Sequence, residues 1–502
     1  MIHITSRLRF ATNALAPINQ LPPEILCEVF LYLRPTVRNG SKKTQSVQSP
    51  FGDLLAITHT CKHWRTTATN TPDLWSQLII RRSSNNLGDL ARLFIRRSGE
   101  LPLDADVRSG LTVLLPYVDR LRTLRCLRSS ILEFPEFCNS PAQSLETLHI
   151  LSHPGFGAGG HLPALFNGNY PSLRELDVNE FNPFTNNFRG LSSFRLQLSS
   201  VGGDLIFWAP FFVMLQNSPQ LEELFLRLGR AGYDNFPPIP DIPTPVPLRA
   251  LQRLHIYGST STLARGFMNS VDLPSNGIAT QFTNIQRFDW MSPPTFPLDL
   301  SFHAMTSLEI INSPDCGFVI QGATHKTQIR VVETSNSDSA QSKLFSILVP
   351  QVNLQLSLRE LWIHTGRAME YRLPPFSEFP HLEKLVVRAT TGGDSIRRLL
   401  EELGITGAHL PCPLLSTLDL SGRLNTEVLG SVLKTRSEGG CRLQRLRLGN
   451  TRELPGNLAK SRVLDYVDEL DLFDVSAGPR GMELPAGCTT DLGELWQPWT
   501  NY

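Results

Sequence analysis

The sequence predicts an α/β chain in two parts: a three-helix module over residues 18–80, then a solenoid of short strands stacked into a curved parallel sheet over 121–475. Three observations carry this reading. Near the N-terminus, apolar residues recur at helical spacing between prolines. Behind them a strand-length pattern, Leu-x-x-Leu-x-Φ with Φ apolar, recurs eleven times in clear form, mostly with 24 to 34 residues between starts. The chain's 502 residues exceed what one ordinary compact core organises, so several domains or one extended array is required.

The elements follow in order. Residues 1–17 carry Arg7 and Arg9 and no acidic group, and read as a flexible leader. Pro22 and Pro23 suit the first turn of a helix, where no backbone donor is needed. Ile25, Leu26, Val29, Phe30 and Leu33 then fall on one side, and Arg34-Pro35 ends the helix. Residues 36–52 are polar and read as a loop. Asp53 is placed to cap a second helix bearing Leu54, Leu55 and Ile57. A third helix carries Cys61 and Trp64 and stops at Thr71-Pro72, before the apolar pair Leu74-Trp75. So small a module cannot bury all these groups in its own core; some must stand exposed or against a partner.

Four pieces of this segment, Leu21-Pro22-Pro23-Glu24-Ile25-Leu26, the Leu54-Leu55-x-Ile57 helix, Cys61-Lys62-His63-Trp64 and Pro72-Asp73-Leu74-Trp75, occur in the order of the F-box, and residues 18–80 resemble that family. Two departures stand out: Thr60 replaces the family's usual Val, and the loop after Leu33 is longer. The resemblance implies a three-helix domain that binds the small Skp-type adaptor of SCF cullin–RING ubiquitin ligases and, through it, cullin. It carries that role to Leu21, Pro22, Ile25, Leu26, Phe30 and Leu33, and further to Leu54, Leu55, Trp64, Leu74 and Trp75. The competing reading is a plain helical cap on the array.

Residues 81–120 read as a helical linker. The strand copies run from Leu121-Arg-Thr-Leu124 to Val467-Asp-Glu-Leu470-Asp-Leu472, with weaker copies near Leu191 and Met305 and a wide gap between Met305 and Leu358. The pattern resembles the leucine-rich repeat, without most of that family's Asn residues; Asn179 and Asn450 are the nearest candidates. About thirteen strands at ~4.8 Å each would make a sheet roughly 60 Å long. Its concave side would be lined by the non-leucine positions. Phe225, Arg253, His255, Tyr257, Arg287, Asp289, Trp362, His364, Arg388, Arg445 and Arg447 are the candidate target-binding residues, with Phe225 and Trp362 expected to be exposed. Mixed charge with aromatics suits a protein partner better than a phosphate backbone. An ordinary solvated sheet face is the alternative. Residues 152–161, 236–247 and 324–343 read as protruding loops, and 476–502 as a tail or cap.

Composition narrows the function. The net charge of +1 gives no nucleic-acid or membrane signature, although residues 1–100 hold 13 Lys/Arg against 6 Asp/Glu, a net of +7 that leaves −6 on the rest. Eight scattered cysteines, none in Cys-x-x-Cys spacing, fit reduced thiols in an intracellular protein, cytoplasmic or nuclear. No apolar run reaches the ~20 residues that span a bilayer. No phosphate loop, zinc-ligand set or nucleophile elbow is present, so neither an enzyme nor a cofactor is expected. The reading is a substrate-recognition subunit of an SCF-type ligase with an unknown protein target; the alternative is a leucine-rich-repeat scaffold or receptor with no ligase role.

Overall fold

A computed structural model describes residues 12–34 except 14, 52–80, 85–152, 163–198 except 181, 207–228, 239–258 except 241, 261–283 except 275–277, 305–311, 316–322, 328–333, 354–365, 376–389, 394–405, 410–449 except 423, and 462–473. The chain divides into two compact units, Met1–Leu221 and Glu222–Tyr502. The division falls inside the expected repeat array and leaves the N-terminal module in one unit with the first six strands. Arg287, Asp289, the 152–161 glycines beyond residue 152 and the 476–502 tail lie outside the described residues.

The first unit opens with three helices, α1 (Pro23–Leu31), α2 (Gly52–Thr60) and α3 (Lys62–Thr69), and a 3-10 turn at Pro72–Trp75. Pro22 and Pro23 start α1 as expected, and the Cys61 side chain caps α3 by accepting from the Trp64 amide. Residues 81–120 hold more than helix. A strand β1 (Gln77–Ile80) precedes α4 (Asn85–Arg97), and β2 (Leu103–Val107) follows it. Next come β3 (Leu121–Leu127), β4 (Thr147–Leu151), β5 (Glu175–Asn179) and β6 (Ser193–Leu198). These six strands pair in parallel in sequence order. Their register places Leu124, Leu148, Leu176 and Phe194 side by side, with Cys126, Ile150, Val178 and Leu196 one pleat on; all eight are buried. Helices α5 (Arg128–Glu133), α6 (Pro135–Asn139) and α7 (Trp208–Gln216) accompany the strands.

The second unit contains β7 (Glu223–Leu228), β8 (Val246–Pro247), β9 (Arg253–Tyr257), β10 (Val271–Asp272), β11 (Ala279–Thr283), β12 (Met305–Ile311), β13 (Cys316–Gly322), β14 (Gln328–Glu333), β15 (Glu360–Thr365), β16 (Lys384–Ala389), β17 (Thr417–Ser421), β18 (Leu443–Gly449) and β19 (Val467–Phe473). The main sheet runs β7-β9-β11-β14-β13-β12-β15-β16-β17-β18-β19, while β8 and β10 pair separately. Strand β13 is antiparallel to both neighbours, and every other pair is parallel. The expected all-parallel sheet is therefore corrected at 305–333. No Leu-x-x-Leu copy occurs over β13 and β14, and short connections make antiparallel neighbours where a parallel step would need a long crossover. β14 also replaces part of the loop expected at 324–343. The sheets are not curled, so the positions expected on a concave surface are described below as the polar face.

Candidate adaptor interface and the polar faces of the sheets

Helix α1 has two differently used sides. Leu26 and Phe30, one turn apart, are buried; Phe30 meets the Trp64 ring at 5.2 Å. Trp64 is fixed at its other end, where Nε1 donates to Asn19 Oδ1 at 2.5 Å. Cys27 Sγ sits 2.9 Å from Thr71 Oγ1, which itself donates to the Thr67 carbonyl; the thiol is therefore the donor of that pair. Leu54, Leu74 and Trp75 are buried too. Trp75 donates to the Ala68 carbonyl at 2.7 Å, packs edge-on against Phe94 of α4 at 4.9 Å, and carries the Arg97 guanidinium over its ring at 4.3 Å. Burial and the neighbouring Arg96 lower the Arg97 pKa from its ordinary value.

The other side of α1 is left in solvent. Ile25 is 48 % exposed, Val29 41 %, Tyr32 89 % and Leu33 41 %. Of thirteen exposed large apolar side chains among the described residues, six lie within residues 15–33, so unpaired apolar surface is concentrated here. Pro22 is exposed; Leu21, Leu55 and Trp64 are half-buried. The sequence-derived adaptor set thus separates into a sealed group (Leu26, Phe30, Leu54, Leu74, Trp75) that holds the module together and an outward group (Pro22, Ile25, Leu33) free to touch a partner. Val29 and Tyr32 belong with the outward group. Their spacing from Ile25, four and seven residues, was the available signal.

Residues 18–81 match the family model described as F-box-like. This segment is an F-box-like domain. The match ends at residue 81 and carries no statement on the strands beyond it. No curated protein matches the chain.

On the polar face of the second unit, the two aromatics expected to be exposed are buried, Phe225 at 2 % and Trp362 at 4 %. Neighbouring strands bring side chains against them, which a single-strand reading does not register: the His255 ring lies edge-on to Phe225 at 6.3 Å. Lys384 lies over the Trp362 ring at 4.8 Å, and Trp362 Nε1 donates to Glu360. Arg253 pairs with Glu223 at 2.6 Å, His255 is buried, and Tyr257 receives the Arg227 guanidinium at 4.6 Å. His364 approaches Glu309 at 2.7 Å. Farther along, Arg388 donates to Asp419 at 3.0 Å, Arg447 reaches Asp419 at 3.3 Å and Asp471 at 2.9 Å, and Arg445 lies 3.6 Å from Asp471. Phe473 takes both guanidiniums on its ring, at 4.8 Å and 4.9 Å. The Arg388–Phe473 contact spans two intervening strands, whose residues at this register are the small Ser421 and Gly449. Burial lowers the Arg388 pKa and raises that of Asp419, while their mutual attraction opposes both shifts.

Burial pushes the Cys138 thiol up to about 11 and the Cys412 thiol to about 12, and raises Cys126 further, so these thiols stay protonated. Among the described residues no group of three or more His, Cys, Asp or Glu is placed to hold a metal ion, and no helix is long and apolar enough to cross a membrane.

Proposed function

We propose that this protein is the substrate-recognition subunit of an SCF-type cullin–RING ubiquitin ligase. The F-box-like domain holds a Skp-type adaptor, and cullin through it; the strands behind it act as an irregular leucine-rich-repeat solenoid whose polar faces hold a protein target. Catalysis here is proximity: target lysines are kept near a ubiquitin-carrying enzyme, without bond chemistry by this chain. Such a protein works inside the cell, in cytoplasm or nucleus. The observation that supports this best is the exposed Ile25/Val29/Tyr32/Leu33 stripe beside a buried edge of the same helix formed by Leu26 and Phe30. Free apolar surface concentrated on one helix is the mark of a docking site.

Affinity capture of the full-length protein tests the reading. Co-purification of a Skp-type adaptor and a cullin is expected. Capture of target-like proteins with neither would instead support a leucine-rich-repeat scaffold with no ligase role.

A further inference from the structure

Residues 81–128 contain ten arginines and five acidic residues. The described arginines here differ sharply in how far they are satisfied. Arg92 pairs with Asp89 at 2.9 Å, and Arg97 rests on Trp75. Arg120 donates to Ser98 Oγ and the Leu101 carbonyl, and Arg122 grips Asp104 through two bonds of 3.0 Å and 2.6 Å. Arg96 on α4 stands in solvent, and two more, one on β3 and one just past β2, are not used up in this way either. Arg108, just past β2, has its Nε 3.9 Å from Asp106, longer than a hydrogen bond, with 42 % of its side chain exposed. Arg125, in the middle of β3, has no hydrogen-bond, ion-pair or ring partner among the described residues, and its Nε is shut off from solvent.

These two sit together. Arg125 lies opposite Asp106 in the β2–β3 register, and Arg108 is two residues beyond Asp106 on the same pleat side. Ser130 Oγ donates to the Arg108 carbonyl at 2.9 Å, which places the first turn of α5 beside it. The Ser109 hydroxyl next to Arg108 is also buried without a partner among the described residues. On the far side, β4 presents His149 opposite Arg125, and that ring is engaged with Asp177 at 3.2 Å. Asp106 is therefore the carboxylate opposite Arg125 and 3.9 Å from Arg108, and Asp177 is engaged with His149, so the two guanidiniums face a single carboxylate. A guanidinium half out of water with donors unfilled is costly, and an arriving carboxylate removes that cost.

We infer that this patch of the first unit receives an extended acidic segment of the target. The inference rests on the target-recognition reading above and gives it a chemical class. Carboxylates are favoured over a single phosphate because the two guanidiniums are spread over neighbouring strands, about 4.8 Å apart, and displaced along them. An extended peptide sets side chains i and i+2 about 6.8 Å apart on one face, a spacing that lets two carboxylates engage both.

Fluorescence anisotropy on the full-length protein tests it, with three labelled octapeptides: all-Glu, all-Gln, and Gln with one phosphoserine. The all-Glu peptide is expected to bind and to weaken at higher salt, and the all-Gln peptide is expected not to bind. Arg108→Gln with Arg125→Gln is expected to weaken all-Glu binding about tenfold or more. The control Arg92→Gln with Arg96→Gln, equal in charge removed, is expected to leave it unchanged. Equal loss in both pairs, no binding by the wild type, or tighter binding of the phosphoserine peptide would each overturn the assignment. Circular dichroism and adaptor capture on the same samples separate the outcomes. Peptide binding lost with adaptor capture intact in a folded variant is the expected result. Peptide binding that persists in a protein that captures no adaptor leaves this patch standing and removes the ligase reading.

Discussion

Helix α1 leaves Ile25, Val29, Tyr32 and Leu33 in water, whereas strands β15–β19 cover Trp362 and Val386 and pair their charges with one another. Both regions carry more apolar or charged groups than a bland surface needs. The strands settle most of theirs internally: Asp419 and Asp471 each accept from guanidiniums of the same sheet, although Arg388 Nε and Nη1 and Asp419 Oδ1 stay buried without a hydrogen-bond partner among the described residues. The helix settles only one side. Surface that is satisfied within its own fold contributes to stability, and surface left unsatisfied is what a partner can complete.

Substitutions that break the internal side of this comparison come first. Asp419→Ala leaves Arg388 buried without its carboxylate and is expected to cost about 3–5 kcal/mol. Trp75→Ala opens the contact with Phe94 and is expected to cost a similar ~3–5 kcal/mol. Thermal melts check both, and losses below about 1 kcal/mol would mean that these groups are not holding the fold.

Contrasting pairs on α1 sharpen the comparison. Phe30→Ala is expected to cost about 3–5 kcal/mol, whereas Tyr32→Ala, two residues on and 89 % exposed, should stay within about 0.5 kcal/mol. Similar losses at both positions would show that the two sides are not distinct. A smaller effect is expected from Cys27→Ala, which removes the thiol donor to Thr71 and should cost about 1 kcal/mol. Smallest of all is Arg92→Gln. Its ion pair with Asp89 is highly exposed on both partners, and urea titration is expected to show a change within about 0.5 kcal/mol.

Much of the F-box-like domain was legible because its signals are local. Prolines at 22, 23 and 72 mark where elements begin, and the helical stripe of α1 needs only its own residues. The strands at Leu-x-x-Leu copies were legible for the same reason; among the described residues each clear copy carries one. What each side chain meets was not. Phe225 and Trp362 alternate correctly for an exposed face, and neighbouring strands set His255 against the one and Lys384 over the other. The order β11-β14-β13-β12-β15 was hidden for a related reason, since β13 and β14 lack the repeat pattern, and β14 pairs back onto β11 and β12 onto β15 across long stretches of sequence. Strand β2 escaped because Leu103–Val107 includes Asp104 and Asp106, whose partners lie far along the chain or outside the motif.

The account turns on α1, and the most direct measurement is the affinity of purified Skp-type adaptor for the wild-type protein and for Ile25→Asp with Val29→Asp. Both substitutions lie on the exposed side, so melting temperature is expected to hold while affinity falls about a hundredfold or more. Unchanged affinity in a folded double variant would contradict the claim that this stripe is where the adaptor sits.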